Sequence, residues 1–384
     1  MMKEGWCYKK LNEICISINA GGTPSRTKKA YWNGDIPWIK IRDIQGKYVS
    51  KSEEYITNAG VANSSAKVFD EGTILYTIFA TVGEVAILNF KAATNQAIAG
   101  LRLKDGYDLD FIYYSLLSIK KNVINLSKGV AQNNINLSIL RNLEIPIPTY
   151  CDQKTIVLEL DNLNEILAKK REQLKELDRL GLAIFYDMFG DPILNEKNWE
   201  MVPFSYVGTF GRGVSKHRPR NAEKLLGGTV PLIQTGDVAR ANMYITEYVS
   251  TYSEFGVAQS KIWKSGTLCI TIAATIGKCA ILTFDACFPD SVVGFVANSR
   301  VCNEYVYYIF GSIQGVLEEN APAVAQKNIN LATLNALKIP LPPLDAQKEF
   351  VNKILRIEKQ KQKIKQSIVE VQQLLDYTMN KYFG

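Results

Sequence analysis

The stretch GTILYTIFATVGEVAIL, from Gly72 to Leu88, is repeated as GTLCITIAATIGKCAIL, from Gly266 to Leu282, with ten of seventeen positions identical. The two copies lie 194 residues apart, and the same shift superimposes other landmarks. VAQNNINL (Val130 to Leu137) falls on VAQKNINL (Val324 to Leu331), and IPIP (Ile145 to Pro148) on IPLP (Ile339 to Pro342). From Pro37 and Pro231 onward no gap is needed to keep these landmarks aligned, whereas upstream the register slips by one, Trp6 matching Trp199. Such a long period excludes a solenoid, so each copy should fold as a unit, and the chain reads as a tandem duplication.

Two textures alternate within each copy. The first part carries short β-rich runs, Ile36 to Ile41, Thr73 to Phe79 and Val85 to Leu88, punctuated by Gly, Asn and Pro, beside a helix around Tyr113 and Leu117, mirrored at Tyr307 and Tyr308. This predicts a mixed α/β globule. In the second part, Cys151 to Phe189 contains no proline and one glycine, Gly181, with Gly190 placed to cap the end. Apolar residues there follow heptad spacing: Ile156, Leu160, Leu163, Leu167, Leu174, Leu177, Ile184 and Met188, with Lys170 and Gly181 as exceptions. The second copy gives Phe350, Ile354, Ile357, Ile364, Ile368, Val371, Leu375 and Tyr382, interrupted by Lys361 and Thr378.

Sustained heptads predict two long helices, each about 50 Å, whose only equal partner is the other copy. The expected fold is two tandem globules joined by two long helices in an antiparallel coiled coil, related by a pseudo-two-fold axis. The expected segments are globule 1 at 1–150, helix 1 at 151–190, globule 2 at 191–344 and helix 2 at 345–384.

Composition narrows the function. Forty-five Lys and Arg against 38 Asp and Glu give +7, a sign that favours a polyanionic partner. Seven scattered cysteines without a CxxC pair suit a reduced, intracellular, cytoplasmic protein. MMKEGWCYKK has no apolar signal core, and no run reaches the ~18 apolar residues of a membrane span. One histidine, His217, removes most zinc-hydrolase and triad chemistries, and the cysteine spacing offers no metal framework. Ile276-Gly277-Lys278-Cys279 lacks the upstream glycine and the following Ser or Thr of a P-loop; with Gly83-Glu84 opposite, it reads as a shared turn. No Rossmann, HExxH, GxSxG or DPPY-like run is present, so a binding protein is expected, with no catalytic residue and no metal.

The positive charge is concentrated. Arg212, Lys216, Arg218, Arg220 and Lys224 fall within thirteen residues, among His217 and Asn221, in a stretch that Gly211, Gly213 and Pro219 mark as a loop. Arg26, Lys28, Lys29 and Tyr31 precede Pro37 in the first copy, with Lys40 and Arg42 after it. Cations on loops beside hydrogen-bonding side chains suit phosphates and base edges. Matched positions that differ between copies are candidate base readers, Gln234 and Thr235 against Lys40 and Ile41; within the otherwise shared AQxNIN segment, Asn133 stands opposite Lys327, so that position is free to vary. Shared Gln132, Asn134 and Asn136, repeated as Gln326, Asn328 and Asn330, are expected to be turn and helix-cap elements.

GGTPSR…YWNGDIPWI, FGRGVSKHRPRN…GGTVPLIQTGDV, the paired AQxNIN segments and the paired IPxP-to-helix junctions together resemble the specificity subunits of type I restriction-modification enzymes. The resemblance covers nearly the whole chain. It implies two target-recognition domains, each reading half of a split sequence in double-stranded DNA. It also implies a helix pair that sets the spacing and docks methyltransferase (modification) subunits. By the same resemblance, restriction/translocase subunits are expected to complete the enzyme, with S-adenosylmethionine, ATP and Mg²⁺ implied on those partners and not on this chain. Two other classes are a protein-interaction scaffold and a self-contained DNA-modifying enzyme.

Overall fold

The structure is a computed structural model that describes residues 5–127, 134–273, 276–319 and 331–384. The repeated stretch forms a hairpin in each copy. Strand Ile74–Thr77 pairs antiparallel with Val85–Leu88, and Leu268–Thr271 pairs with Cys279–Leu282. The shared residues explain why. Gly83 and Gly277 adopt positive φ, 89° and 75°, which L-residues avoid. Thr77 and Thr271 hold the turn, their hydroxyls accepting the N–H groups of Glu84 (2.9 Å) and Lys278 (3.1 Å). The N–H groups of Gly83 and Gly277 also donate back into the strand, to the carbonyls of Thr77 and Thr271 at 3.0 and 2.9 Å.

Each hairpin lies inside a five-stranded sheet. In the first copy the order is Cys15–Ala20, Ile98–Leu103, Ile74–Thr77, Val85–Leu88, Tyr48–Val49. In the second it is Gly208–Arg212, Val292–Ala297, Leu268–Thr271, Cys279–Leu282, Tyr244–Ile245. A four-stranded sheet accompanies each, built around Trp32–Ile39 and Leu226–Leu232 respectively. A two-stranded ribbon, Cys7–Lys10 with Glu144–Ile147, is matched by Met201–Pro203 with Lys338–Pro340. Three sequence expectations need correction. The Ile36 to Ile41 run is a strand only to Ile39; a 3-10 turn follows at Ile41–Asp43. Gly211 is in strand, not loop, because Gly208–Arg212 pairs with Val292–Ala297, and a Cβ there would lie 2.5 Å from Trp263 Cη2. The gapless register also fails locally: Tyr48 and Gly60 answer to Tyr244 and Gly256, two residues beyond the common shift, because the short helix Thr235–Arg240 is longer than its counterpart.

The chain divides into two compact units, Met1–Arg171 with Gln366–Gly384, and Glu172–Lys365. Both long helices, Tyr150–Phe189 and Leu344–Phe383, have 40 residues and are shared between the units. Within each unit their segments run antiparallel. In the first unit Tyr382 donates to Glu159 at 2.6 Å, and Leu375, Met379 and Phe383 pack on a core containing Ile156 and Leu160. In the second, Phe185 and Phe189 meet Phe350, with centroids 5.7 and 5.3 Å apart.

The helices are not a freestanding coiled coil. Ile156, Leu160, Leu163, Leu167, Phe350, Ile354 and Ile357 are buried, and most of them join globule cores. Leu174, Leu177, Ile364, Ile368 and Val371 are only half-buried. Three of the four heptad exceptions are buried members of the seam. Gly181 leaves room for Tyr308, whose hydroxyl would lie 2.3 Å from an added Cβ. Thr378 is buried, and Lys361 is buried with its ammonium 2.7 Å from Asp178 and 2.6 Å from Glu358. Burial opposes the Lys361 charge, but the two carboxylates outweigh it and raise the pKa above the usual lysine value. A buried polar group of this kind restricts helix register at little net gain in stability. Gly190 caps the first long helix at φ 74°, donating to Tyr186 at 2.8 Å. No helix among the described residues is long and apolar enough to cross a membrane.

Candidate nucleic-acid interface

In both units a loop leaves the edge strand of the five-stranded sheet at matching hydrogen bonds. Gly21 and Gly22 donate to Ile98 and Thr94 at 3.0 and 2.9 Å; Gly213 and Val214 donate to Val292 and Phe288 at 2.9 and 3.1 Å. Counting from that last anchor, the fourth residue is Arg26 in one unit and Arg218 in the other. The far end is clamped alike. Tyr31 accepts from Thr57 N–H at 3.0 Å, and Leu225 accepts from Ser253 N–H at 2.8 Å. The hydroxyls of Thr57 and Ser253 donate to Ala30 and Lys224 while capping the helices Asn58–Ala62 and Glu254–Ala258. Identical anchors thus bracket loops of different sequence, the second two residues longer.

Glycine is required at the departure point. A Cβ on Gly213 would stand 2.3 Å from the carbonyl oxygens of Phe288 and Pro289, and one on Gly21 2.4 Å from that of Thr94. Backbone cannot yield as a side-chain tip can. Gly213→Ala is therefore expected to destabilise the second unit by about 1–3 kcal/mol, seen as a lower urea midpoint, whereas the exposed Gly227→Ala probes only its φ of 84°.

Within the first loop, Arg26 stacks 3.7 Å over Trp32 and lies 5.0 Å from the Trp38 centroid. Its guanidinium is 2.6 Å from Glu54. Lys40, mostly covered, also pairs with Glu54 and approaches Glu53 at 3.8 Å, and Arg42 pairs with Glu53. Burial pushes the Glu54 carboxyl up, but Lys40 and Arg26 outweigh it and leave it below the usual glutamate value. The stabilisation is thus present above the unfolded glutamate pKa and is lost as pH falls through the lowered folded value. Lys28 donates to the Tyr31 hydroxyl at 3.2 Å, and Lys29 starts the 3-10 turn Lys29–Tyr31. Neither lysine pairs with a carboxylate among the described residues.

In the second loop Arg220 and Arg218 lie 2.5 and 3.6 Å from Asp290. Arg218 also donates to the carbonyls of Ser215 (2.5 Å) and His217 (3.0 Å). Gln259 shapes the turn, its side-chain oxygen accepting the N–H groups of Lys216 (2.6 Å) and His217 (2.9 Å). His217 meets Phe255 edge-on at 5.9 Å, and the Lys224 ammonium lies 5.0 Å from the same ring. Lys216 and Lys224 pair with no carboxylate among the described residues.

The structure therefore brings Arg26, Lys40 and Arg42 together through Glu53 and Glu54, and Arg218 and Arg220 through Asp290. Arg212 is an exposed strand end, and Asn221 is exposed. Gln234 and Thr235 begin the short helix Thr235–Arg240, as Lys40 and Ile41 begin their 3-10 turn. Both starts are closed alike, Asp237 accepting from Gln234 N–H and Asp43 from Lys40 N–H, each at 2.8 Å. Asn136 caps Leu137–Asn142 by accepting Ile139 N–H at 2.8 Å. Gln132, Asn133, Gln326, Lys327, Asn328 and Asn330 lie outside the described residues. Sequence reasoning missed Glu53, Glu54, Asp290 and Gln259, whose role depends on folding. The seven cysteines are free thiols, burial pushing Cys15 and Cys279 up to about 12. Among the described residues no group of three or more His, Cys, Asp or Glu side chains could hold a metal ion.

The doubling of sheet, loop and helix has a direct counterpart in family comparison. The model of the type I restriction modification DNA specificity domain matches twice, at residues 3–178 and 196–373. The chain belongs to this family. The specificity subunit of type I restriction enzyme MjaIX from Methanocaldococcus jannaschii is 33% identical over 199 residues, half of this chain and 46% of that protein. The putative MjaX specificity subunit of the same organism is 23% identical over 97% of this chain and 93% of its own length. Among solved structures, the S subunit of a type I restriction-modification system from M. genitalium has a TM-score of 0.59 at 16% identity, covering 99% of this chain and 96% of that one. A chain from a structure of type I R-M complex assembly and conformational transition reaches 0.64 at 18% identity, over 100% and 98%. These likenesses establish that this type I specificity-domain chain shares the whole two-copy fold.

Proposed function

We propose that this chain is the non-catalytic specificity subunit of a type I restriction-modification system, reading a bipartite sequence in double-stranded DNA. The observation that carries the reading is the pair of basic loops held by the same anchors in both units and different in between. An equal framework with unequal contents is what two readers of two different half-sites need. Arg26, Arg42, Arg218 and Arg220 are held in partly exposed ion pairs, worth about 0–1 kcal/mol each. Transfer of a guanidinium from its carboxylate to a phosphate or to guanine therefore costs little. Lys28, Lys29, Lys216 and Lys224 are available to phosphates directly, and Gln234, Thr235 and Asn221 to base edges. Each mismatched base pair should cost about 1–3 kcal/mol, and two linked readers multiply their selectivity.

Exposed apolar residues on the long helices, Leu158 and Ile166 on the first, Val369, Leu374 and Tyr377 on the second, offer methyltransferase subunits a docking surface. Restriction/translocase subunits complete the assembly, and those partners supply the sites for S-adenosylmethionine, ATP and Mg²⁺. The test is selection of bound duplexes from a randomised library by the chain with its methyltransferase subunits. Two short fixed sequences separated by an unspecified spacer are expected. Arg218→Ala should relax the preference in one half only, leaving the other unchanged; uniform loss in both halves would refute separate readers.

A further inference from the structure

Each long helix begins with a fully buried glutamine. Gln153 is 1% and Gln347 0% exposed. The Gln153 side-chain oxygen accepts Asp108 N–H at 2.9 Å, and its amide donates to the Pro148 carbonyl at 3.0 Å. The Gln347 oxygen accepts Cys302 N–H at 2.9 Å, and its amide donates to the carbonyls of Pro342 (2.9 Å) and Arg300 (3.2 Å). Glutamine, N–H partner and proline all correspond under the 194-residue shift.

The partners are backbone groups at the starts of helices. Asp108 caps the globule helix Leu109–Ser118, accepting Phe111 N–H at 3.0 Å, and Cys302 immediately precedes the globule helix Asn303–Glu319. One side chain thus ties the start of a globule helix to the start of a long helix. The tie survives exchange of Asp for Cys at the partner position because it uses only backbone. A buried amide with both ends satisfied defines one geometry, and an apolar side chain of similar size would leave the backbone partners unmet.

We infer that Gln153 and Gln347 are positioning residues that lock the angle between each reading globule and its long helix, and so set how sharply the protein discriminates the spacing between its two half-sites. This rests on the bipartite reading proposed above. Neither residue touches DNA in this scheme, so half-site preference and spacing preference should separate.

The experiment uses the full chain with its methyltransferase subunits and a duplex library with randomised half-sites and spacers of variable length. The unaltered protein should return two half-sites at one dominant spacer. Gln153→Leu and Gln347→Leu should return the same half-sites, with the preference for the dominant spacer over neighbours one base pair longer or shorter reduced about tenfold. Gln153→Ala, which leaves room for water to reach the Asp108 N–H and the Pro148 carbonyl, should broaden the spacing less, and it is the decisive variant if the leucine forms do not fold. A spacer preference as sharp as the unaltered protein's in a folded variant overturns the inference, as does loss of the half-site preferences themselves. Failure of the unaltered protein to select any bipartite sequence removes the underlying reading instead, so the two failures are distinct.

Discussion

Phe350→Ala should lower the stability of the second unit by about 3–5 kcal/mol. The ring is fully buried and packs against Phe185, Phe189 and Tyr308, with centroids 5.7, 5.3 and 5.1 Å away. It shares a core with Leu268, Ile270 and Phe295 of the five-stranded sheet. Truncation loses the transfer free energy of the ring and leaves a cavity that rigid aromatic neighbours cannot close. The measurement is a urea titration followed by circular dichroism, where the midpoint falls with little change in slope. Leu355→Ala, on the half-exposed face of the same helix within the second unit, is the control and should shift stability by no more than about 0.5 kcal/mol. Equal effects of the two substitutions would mean that the start of this helix lies outside the core.

The largest effect on binding is expected from replacing Lys28, Lys29, Lys216 and Lys224 together by alanine. None has a carboxylate partner among the described residues, so their charge is available to phosphate. Removing one lysine–phosphate pairing should reduce the slope of log affinity against log salt by about 0.9. Removing four would then take away roughly two orders of magnitude of the affinity change between 50 and 200 mM salt. The half-sites selected should stay the same, because lysine–phosphate pairings position the protein without reading bases. An unchanged salt slope in a mobility-shift series would exclude these loops from the DNA. Alanine at Arg26 or Arg218 should behave oppositely, changing which bases are preferred more than the salt slope.

Much of the architecture was legible in the chain itself because its signals are local and duplicated. The strand–turn–strand texture of Gly72 to Leu88 and the heptads from Ile156 and Phe350 depend on residues near one another in sequence, and the 194-residue repeat presents each of them twice. The heptad exceptions were harder to read. Lys361 looks like a break in an apolar seam; Glu358 lies one helical turn away, but the second carboxylate that keeps its charge there, Asp178, comes from the other long helix. Gly181 looks like a weak point in a helix, and only Tyr308 explains it.

The basic loops show the same division. Their cations, turn residues and position before Pro37 and Pro231 could be read directly, which is why the functional class was accessible from the chain. Which cations are already held was not accessible. Glu54 meets Arg26 from 28 positions away, and Asp290 meets Arg220 from 70. Gln259 reaches the backbone of Lys216 from 43 positions away. By itself the sequence determined the duplication, the alternation of globule and long helix, and the chemistry of the loops, because periodicity and composition are written in neighbouring residues. Tertiary structure alone decided the buried polar interactions, the glycines that backbone crowding requires, and which charges are paired, because these arise where distant segments meet.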